Sequence, residues 1–398
     1  MKKKKILNVC SEYCSGCGLC GSVLDVDFKT DTKGFIYPEL NQSSIDLCSK
    51  VCPASGYALN NYSDGTIFGK VLMSQLGWSC DNDVRHQASS GGVLTSICLY
   101  LIRNHIVDGI IQTRKDEKDP RKTVTIVSTK EYEVLSCMGS RYSASSPLMN
   151  IRNLIEPNKK YAFIGKPCDV SALRMFQSEF YEPWVGQIEY MFSFFCAGQP
   201  SMNANNKLLK ALDCDNIKDC KDLQYRGNGW PGFATVEFYD NKVNKMDYEK
   251  SWMTILGRDV RKFCRFCADG TGEYADVSCG DAWYLTADKK PDFMERPGRN
   301  VIFSRTEKGK SLMEMVVKAG YVDVEDFDID KDELTKRQPY HYARKASLSS
   351  LKLAMQICGR KFPLYSNNVL SIFAKDFPLK SKAYRCLGTI QRVWKKVL

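Results

Sequence analysis

Cys14, Cys17 and Cys20 stand two residues apart, and a distant Cys52 is followed by Pro53. Thiolates at this spacing, closed by a Cys-Pro, form the ligand pattern of a ferredoxin-type iron–sulfur cluster, whose chemistry is electron transfer. The usual bacterial run places a fourth cysteine after three further residues. That position is Leu24 here, and the positions that would open a second triplet ahead of Cys48 are Gln42 and Ile45. The pattern therefore supports one 4Fe-4S cluster on Cys14, Cys17, Cys20 and Cys52, with Cys10 and Cys48 spare. A structural zinc on the same thiolates is the alternative chemistry.

A second set of thiols lies further along. Cys168 follows the apolar run Tyr161 to Gly165, at the junction with a helical stretch, where dipole ends favour a thiolate. Cys196 ends the run Tyr190 to Phe195, and Cys264 and Cys267 form a Cys-x-x-Cys. Two strands ending in cysteine at one edge of an α/β sheet would bring Cys168 and Cys196 together with that pair, and Cys279 is a fifth candidate. Isolated cysteines are more often small buried hydrophobes, so the pair carries most of the signal. Ser89-Ser90-Gly91-Gly92, with Thr95 after it, precedes the apolar run Ile97 to Ile102. Small hydroxyl residues and glycines before a helix make an anion cradle, or merely a turn and cap. Ser140-Arg141-Tyr142 after Gly139 is a second small-plus-basic loop, or a solvated turn. His86 is the candidate acid, weighed against a structural histidine.

These residues need elements to hold them. Residues 1–60 read as a ferredoxin-like module with a short hairpin around Lys33-Gly34, followed by a linker from Gly56 to Gly65. Strands are expected over Lys70–Trp78, Val107–Gln112, Val124–Ser128, Tyr161–Gly165, Tyr190–Phe195 and Val301–Arg305, with a helix over Lys308–Ala319. The fold class is mixed, α+β or α/β: the iron–sulfur module, α/β units over 61–155 and 156–325, and a helical tail over 326–398.

The chain has 398 residues and 18 cysteines. Only Ile6, Leu7 and Val9 follow the basic start before polar residues return, so no secretory signal is expected, and no apolar run reaches the about 18 residues of a membrane span. A cytoplasmic location and thiol chemistry, rather than disulfides, follow. The net charge is +11, yet 12 of the 57 Lys/Arg and only one of the 46 Asp/Glu fall in residues 341–398. The rest is balanced, which argues against nucleic acid as a partner. Ala383, Leu387, Ile390, Trp394 and Val397 recur at helical spacing, with Arg385, Arg392 and Lys396 off that stripe. Such a helix suits peripheral contact with the inner face of a membrane, a protein partner, or its own core. Homo-oligomers are compatible with the composition.

Taken together, the ordered motifs resemble the family of coenzyme F420 hydrogenase/dehydrogenase beta subunits, which includes 7-hydroxymethyl chlorophyll a reductase. The matching pieces are Cys14/Cys17/Cys20 with Cys52-Pro53, Ser89 to Gly92, Gly139 to Tyr142, Phe163 to Cys168, Phe194 to Cys196, Cys264/Cys267, and Ala275 to Trp283. The resemblance implies FAD between the two central units, contacted by Ser89, Ser90, Gly91, Gly92 and Thr95 and by Ser140, Arg141 and Tyr142. It implies a 4Fe-4S cluster on Cys168, Cys196, Cys264 and Cys267, and electrons from a ferredoxin or a deazaflavin such as coenzyme F420. Family members also occur in polysaccharide-biosynthesis settings. The leading expectation is an iron–sulfur flavoprotein oxidoreductase acting on a small-molecule metabolite, in polysaccharide biosynthesis on that precedent. The second is an electron-transfer subunit of a coenzyme F420-dependent hydrogenase or dehydrogenase complex. The third is a zinc-stabilised interaction protein without redox activity.

Overall fold

The computed structural model describes residues 2–395. Its central layer is an eight-stranded sheet. In chain order the strands are β1 (Met73–Ser79), β2 (Gly109–Lys115), β3 (Thr123–Ser128), β4 (Tyr161–Gly165), β5 (Ile188–Phe194), β6 (Val277–Asp281), β7 (Asn300–Ser304) and β8 (Val322–Asp326). In space they run β8-β1-β7-β6-β5-β4-β2-β3. The four strands β6, β5, β4 and β2 are mutually parallel. β3 flanks them antiparallel on one side, and on the other β7, β1 and β8 extend the sheet, each antiparallel to the strand before it. The strands of 73–128 and those of 161–326 therefore share one mixed sheet.

Near-continuous apolar runs suit parallel strands covered on both faces. Alternate residues go to opposite sides. Ile110, Ala162 and Phe192 pack with the helix Val93–Arg103 and with Leu312 and Val316 of the helix Glu307–Lys318. Ile111, Phe163 and Met191 pack on the other face with Val170, Leu173 and Phe176 of the helix Pro167–Phe180. Among the described residues no helix is long and apolar enough to cross a membrane.

Between β5 and β6 the chain leaves the sheet. It forms a helix, Met202–Ala211, and a three-stranded antiparallel sheet from Cys220–Gln224, Phe233–Phe238 and Val243–Asp247, around a separate core with Tyr225, Trp252 and Leu256. This excursion returns through the turn Lys262–Phe266, which carries Cys264.

The N-terminal segment forms the helix Lys2–Glu12 and the expected hairpin, Phe28–Thr30 against Ile36–Pro38. Two expectations fail here. The stretch from Gly56 to Gly65 is no open linker: it holds the helix Tyr57–Tyr62, and the Asn60 amide donates to the Leu364 carbonyl at 2.9 Å. Nor is the tail a separate piece. Leu348, Leu351, Phe373 and Val393 share a core with Val9, Tyr13 and Leu59, so the C-terminal helices clasp the N-terminal module. On the last helix, Leu379–Trp394, Thr389 and Val393 are buried, while Leu387 and Trp394 of the anticipated apolar stripe face solvent at 67% and 76% exposure. Most of the anticipated stripe is thus the open face, and the residues that pack, Thr389 and Val393, flank it on the wheel. Val397 and Lys396 lie outside the described residues.

Candidate functional site

The parallel pairing of β4 and β5 starts the loops after Gly165 and Phe194 side by side. Cys168 stands in the first turn of the helix Pro167–Phe180, and Cys196 follows β5, its amide held by the Gly270 carbonyl at 2.8 Å. The segment after Cys196 pairs with the excursion's return strand: Pro200 bridges Val260, and the Arg261 amide donates to the Gln199 carbonyl at 2.9 Å. This pairing delivers Cys264 and Cys267. All four expected thiols, Cys168, Cys196, Cys264 and Cys267, line one cavity, with Lys166, Asp269, Gln199 and Arg344 in its wall.

Cys279 does not join them. It sits within β6, 3% exposed, packed with Val277 and Ile302 in the sheet core. Although it pairs with Phe194 at the end of β5, its side chain lies in the core packed by the helices Val93–Arg103 and Glu307–Lys318 and does not line the thiol cavity.

A neighbouring cavity is lined by Cys10, Cys14, Cys17, Cys20, Cys48 and Cys52. Backbone amides are aimed at several of these sulfurs. The Gly16 amide donates to the Cys14 sulfur at 3.4 Å, and the Gln199 amide to the Cys264 sulfur at 3.4 Å. The Leu19 amide points at Cys17, those of Ala54 and Ser55 at Cys52, and that of Gly198 at Cys196. Such bonds stabilise a thiolate. Two thiols instead donate their S–H to a carbonyl, Cys10 to Cys48 at 3.8 Å and Cys267 to Asp269 at 2.9 Å. The Cys52 thiol is held below its ordinary value, chiefly by the Cys10 S–H and further by the two amides. Burial pushes the Cys17 thiol up to about 12 and the Cys196 thiol to about 11, and raises Cys14 and Cys168. Thiols in such surroundings lose their protons when a cation binds in their place, and the protons are released to solvent.

Ser15 lines both cavities, so the two cages are adjacent. Three cations stand beside them. Lys166 is paired at 2.8 Å with the fully buried Asp169. Burial alone would depress the Lys166 ammonium, but Asp169 and Cys168 keep it raised. The Arg344 guanidinium donates to the Cys196 carbonyl at 3.0 Å. Arg261, 1% exposed, donates to the Cys14 carbonyl at the N-terminal cage and to the side chain of Gln199, which lines the inner one. None of these cations was anticipated, and their distance in sequence from most of the cysteines left no local signal.

The two loops read as flavin contacts do meet. The Ser140 amide donates to the Ser89 hydroxyl at 2.6 Å. Both lie toward the same carboxyl edge, because Ser90 contacts Arg299 at the start of β7, opposite the end of β6. Their donors are already engaged, however. The Ser90 hydroxyl donates to the Arg299 carbonyl at 2.9 Å, and the Val93 amide faces the Asn300 side-chain oxygen at 3.4 Å. A Cβ on Gly91 would lie 2.8 Å from that same oxygen, so Asn300 fills the cradle. Gly92, at φ +78°, opens the helix of which Thr95 is the third residue, half-buried. The Arg141 guanidinium donates to the carbonyls of Leu223, Pro120 and Lys122 and stacks on Tyr225, and Tyr142 packs on Trp252. Several of the donors expected to meet a flavin thus have partners within the chain, whereas the buried Arg141 Nε has none. The His86 side chain is exposed, and its carbonyl accepts from Gly229 at 3.0 Å.

The family models for the N-terminal and C-terminal parts of the coenzyme F420 hydrogenase/dehydrogenase beta subunit match residues 75–152 and 158–330. The cage of Cys14 to Cys52 precedes both matches, and the last helices follow them. The chain is 24% identical over 298 residues to the beta subunit of coenzyme F420 hydrogenase of Methanococcus voltae, covering 70% of this chain and 92% of that one. It is 21% identical over 320 residues to a subunit of the F(420)H(2) dehydrogenase of Methanosarcina mazei, covering 77% and 82%. It is 22% identical over 311 residues to the chloroplastic 7-hydroxymethyl chlorophyll a reductase of Oryza sativa, covering 77% and 61%. A chain of the F420-reducing [NiFe] hydrogenase complex from Methanosarcina barkeri shares the fold, with a TM-score of 0.57 at 17% identity over 75% of this chain and 98% of that one. With both halves of the central sheet matched in order, the chain belongs to the family of coenzyme F420 hydrogenase/dehydrogenase beta subunits.

Proposed function

We propose that this chain is the electron-transferring subunit of an oxidoreductase, exchanging electrons with coenzyme F420 on one side and with a partner protein on the other. The observation that carries the reading is the pair of adjacent thiol cages with backbone amides aimed at their sulfurs. Two 4Fe-4S clusters, on Cys14, Cys17, Cys20 and Cys52 and on Cys168, Cys196, Cys264 and Cys267, would supply one-electron carriers there. The chain's own residues orient the thiolates, shield them from water and offset their charge with Lys166, Arg261 and Arg344.

Among the described residues, no three Cys, His, Asp or Glu side chains converge as they would on a single ion. Zinc, which draws four thiolates to about 2.3 Å from one point, is the alternative that metal analysis separates. The relatives' names carry the deazaflavin and several are subunits, while none carries a polysaccharide setting. The subunit reading therefore leads over a free-standing metabolite reductase. A ferredoxin in place of the deazaflavin is the second donor to test.

Anaerobic purification followed by iron analysis tests the cages: about eight iron atoms per chain and broad visible absorption are expected. Colourless zinc-loaded protein would sink the reading. Bleaching by reduced coenzyme F420, compared with reduced ferredoxin, then tests the donor.

A further inference from the structure

Arg261 is 1% exposed, and the acids near it have other partners. Asp169 pairs with Lys166, Glu12 with Lys262, and Asp259 with Lys33. Its guanidinium sits over the rings of Phe35 at 4.5 Å and Tyr37 at 4.8 Å. A buried guanidinium with only neutral partners is costly unless an anion completes its surroundings.

Its hydrogen bonds run in two directions. One arm donates to the Cys14 carbonyl at 3.5 Å and the Ile36 carbonyl at 3.3 Å, on the N-terminal cage. The Nε donates to the Gln199 side-chain oxygen at 2.7 Å, and the Gln199 amide donates to the Cys264 sulfur on the inner cage. Gly16 completes the fit. At φ +80° it turns the chain between Cys14 and Cys17, and a Cβ there would lie 2.8 Å from the guanidinium carbon. Only a bare backbone allows the arginine to come so close to the cage. Arg344 differs, since it donates to the Cys196 and Ala197 carbonyls and lines the inner cavity alone.

We infer that Arg261 is a positioning residue shared by the two cages, whose single buried positive charge raises the reduction potentials of both clusters together. This rests on reading the cages as iron–sulfur sites. A nearby cation stabilises the reduced, more negative form of a cluster, and low dielectric magnifies the effect. One charge between two carriers keeps their potentials in step.

The test uses the full chain, purified anaerobically, with iron content measured and each cluster titrated by electron paramagnetic resonance. Arg261→Gln shifts the reduction equilibrium of both clusters about tenfold toward the oxidised form, or about 59 mV for a one-electron couple. Arg261→Lys restores most of that shift. Arg344→Gln moves the inner cluster alone. Should Arg261→Gln lose iron, Gln199→Glu decides: it keeps the arginine but neutralises it, and lowers both potentials. Full iron with unchanged potentials, movement of only one cluster, or failure of lysine to restore the shift would each show a merely structural role. Wild-type chain without iron overturns the cage reading and this inference with it, whereas an iron-replete wild type with unmoved variants overturns only the inference.

Discussion

The Arg226 guanidinium grips the Asp281 carboxylate with two hydrogen bonds of 2.8 Å each, at the carboxyl end of β6. Trp230 adds a third bond to the same carboxylate at 2.9 Å, and Arg226 stacks on Tyr248 and Trp283. The pair ties the excursion between β5 and β6 back to the sheet edge where both cages sit. Arg226 is 3% exposed, so Asp281→Ala strands a buried charge. A loss of about 3–5 kcal/mol is expected in equilibrium denaturation. A loss under about 1 kcal/mol would mean that water reaches the guanidinium.

Iron content separates the ligands from the bystanders. Cys264→Ala is expected to halve the iron, to about four atoms per chain, and to leave the N-terminal cluster's signal intact. Cys17→Ala removes the other half. Cys279→Ala and Cys10→Ala keep full iron, because one lies inside the sheet core and the other is left over once Cys14, Cys17, Cys20 and Cys52 hold the N-terminal cluster. Loss of iron in Cys10→Ala would put that thiol among the ligands.

The buried pair of Glu273 and Lys345, 2.6 Å apart, predicts a pH dependence. Burial pushes the Glu273 carboxyl up to about 7 from 4.5, against the pull of Lys345. A raised carboxyl holds its proton longer in the folded state than in the unfolded one. Its contribution to stability is full below about 4.5 and is lost as pH rises through about 7. The difference in melting temperature between wild type and Glu273→Gln should therefore change across that window and be flat above it. A difference independent of pH would place the carboxyl at its ordinary value.

The last helix has one packed face and one open face. Leu387→Ser, on the open face, is expected to change stability by no more than about 0.5 kcal/mol. Val393→Asp, buried against the N-terminal module, costs at least about 2 kcal/mol. Equal effects from the two in thermal melts would reverse the assignment of faces.

Several features were readable from the chain because they are local. The spacing of Cys14, Cys17 and Cys20 depends on one turn of backbone, and Cys264 and Cys267 on another. Tyr161–Gly165 is apolar throughout, so its burial on both faces follows from its composition. The hairpin at Lys33-Gly34 was legible because Gly34 supplies φ +81° at its tip. The helix of 379–394 was legible as a helix, but periodicity marks a stripe without saying what covers it. Cys279 was a fifth candidate by its place after an apolar run, and only the face its side chain packs on keeps it out of the cavity.

The sequence by itself thus marked out two groups of candidate thiols and the strands and helices between them. Only the tertiary structure decided that the groups become neighbouring cages sharing Ser15, and that Arg261 reaches from one to the other. The physical reason is separation along the chain. Arg261 and Cys14 lie 247 positions apart, and no local preference links them. They meet because parallel pairing of β4 with β5 aligns two loops, while the excursion before β6 folds back onto the segment after Cys196.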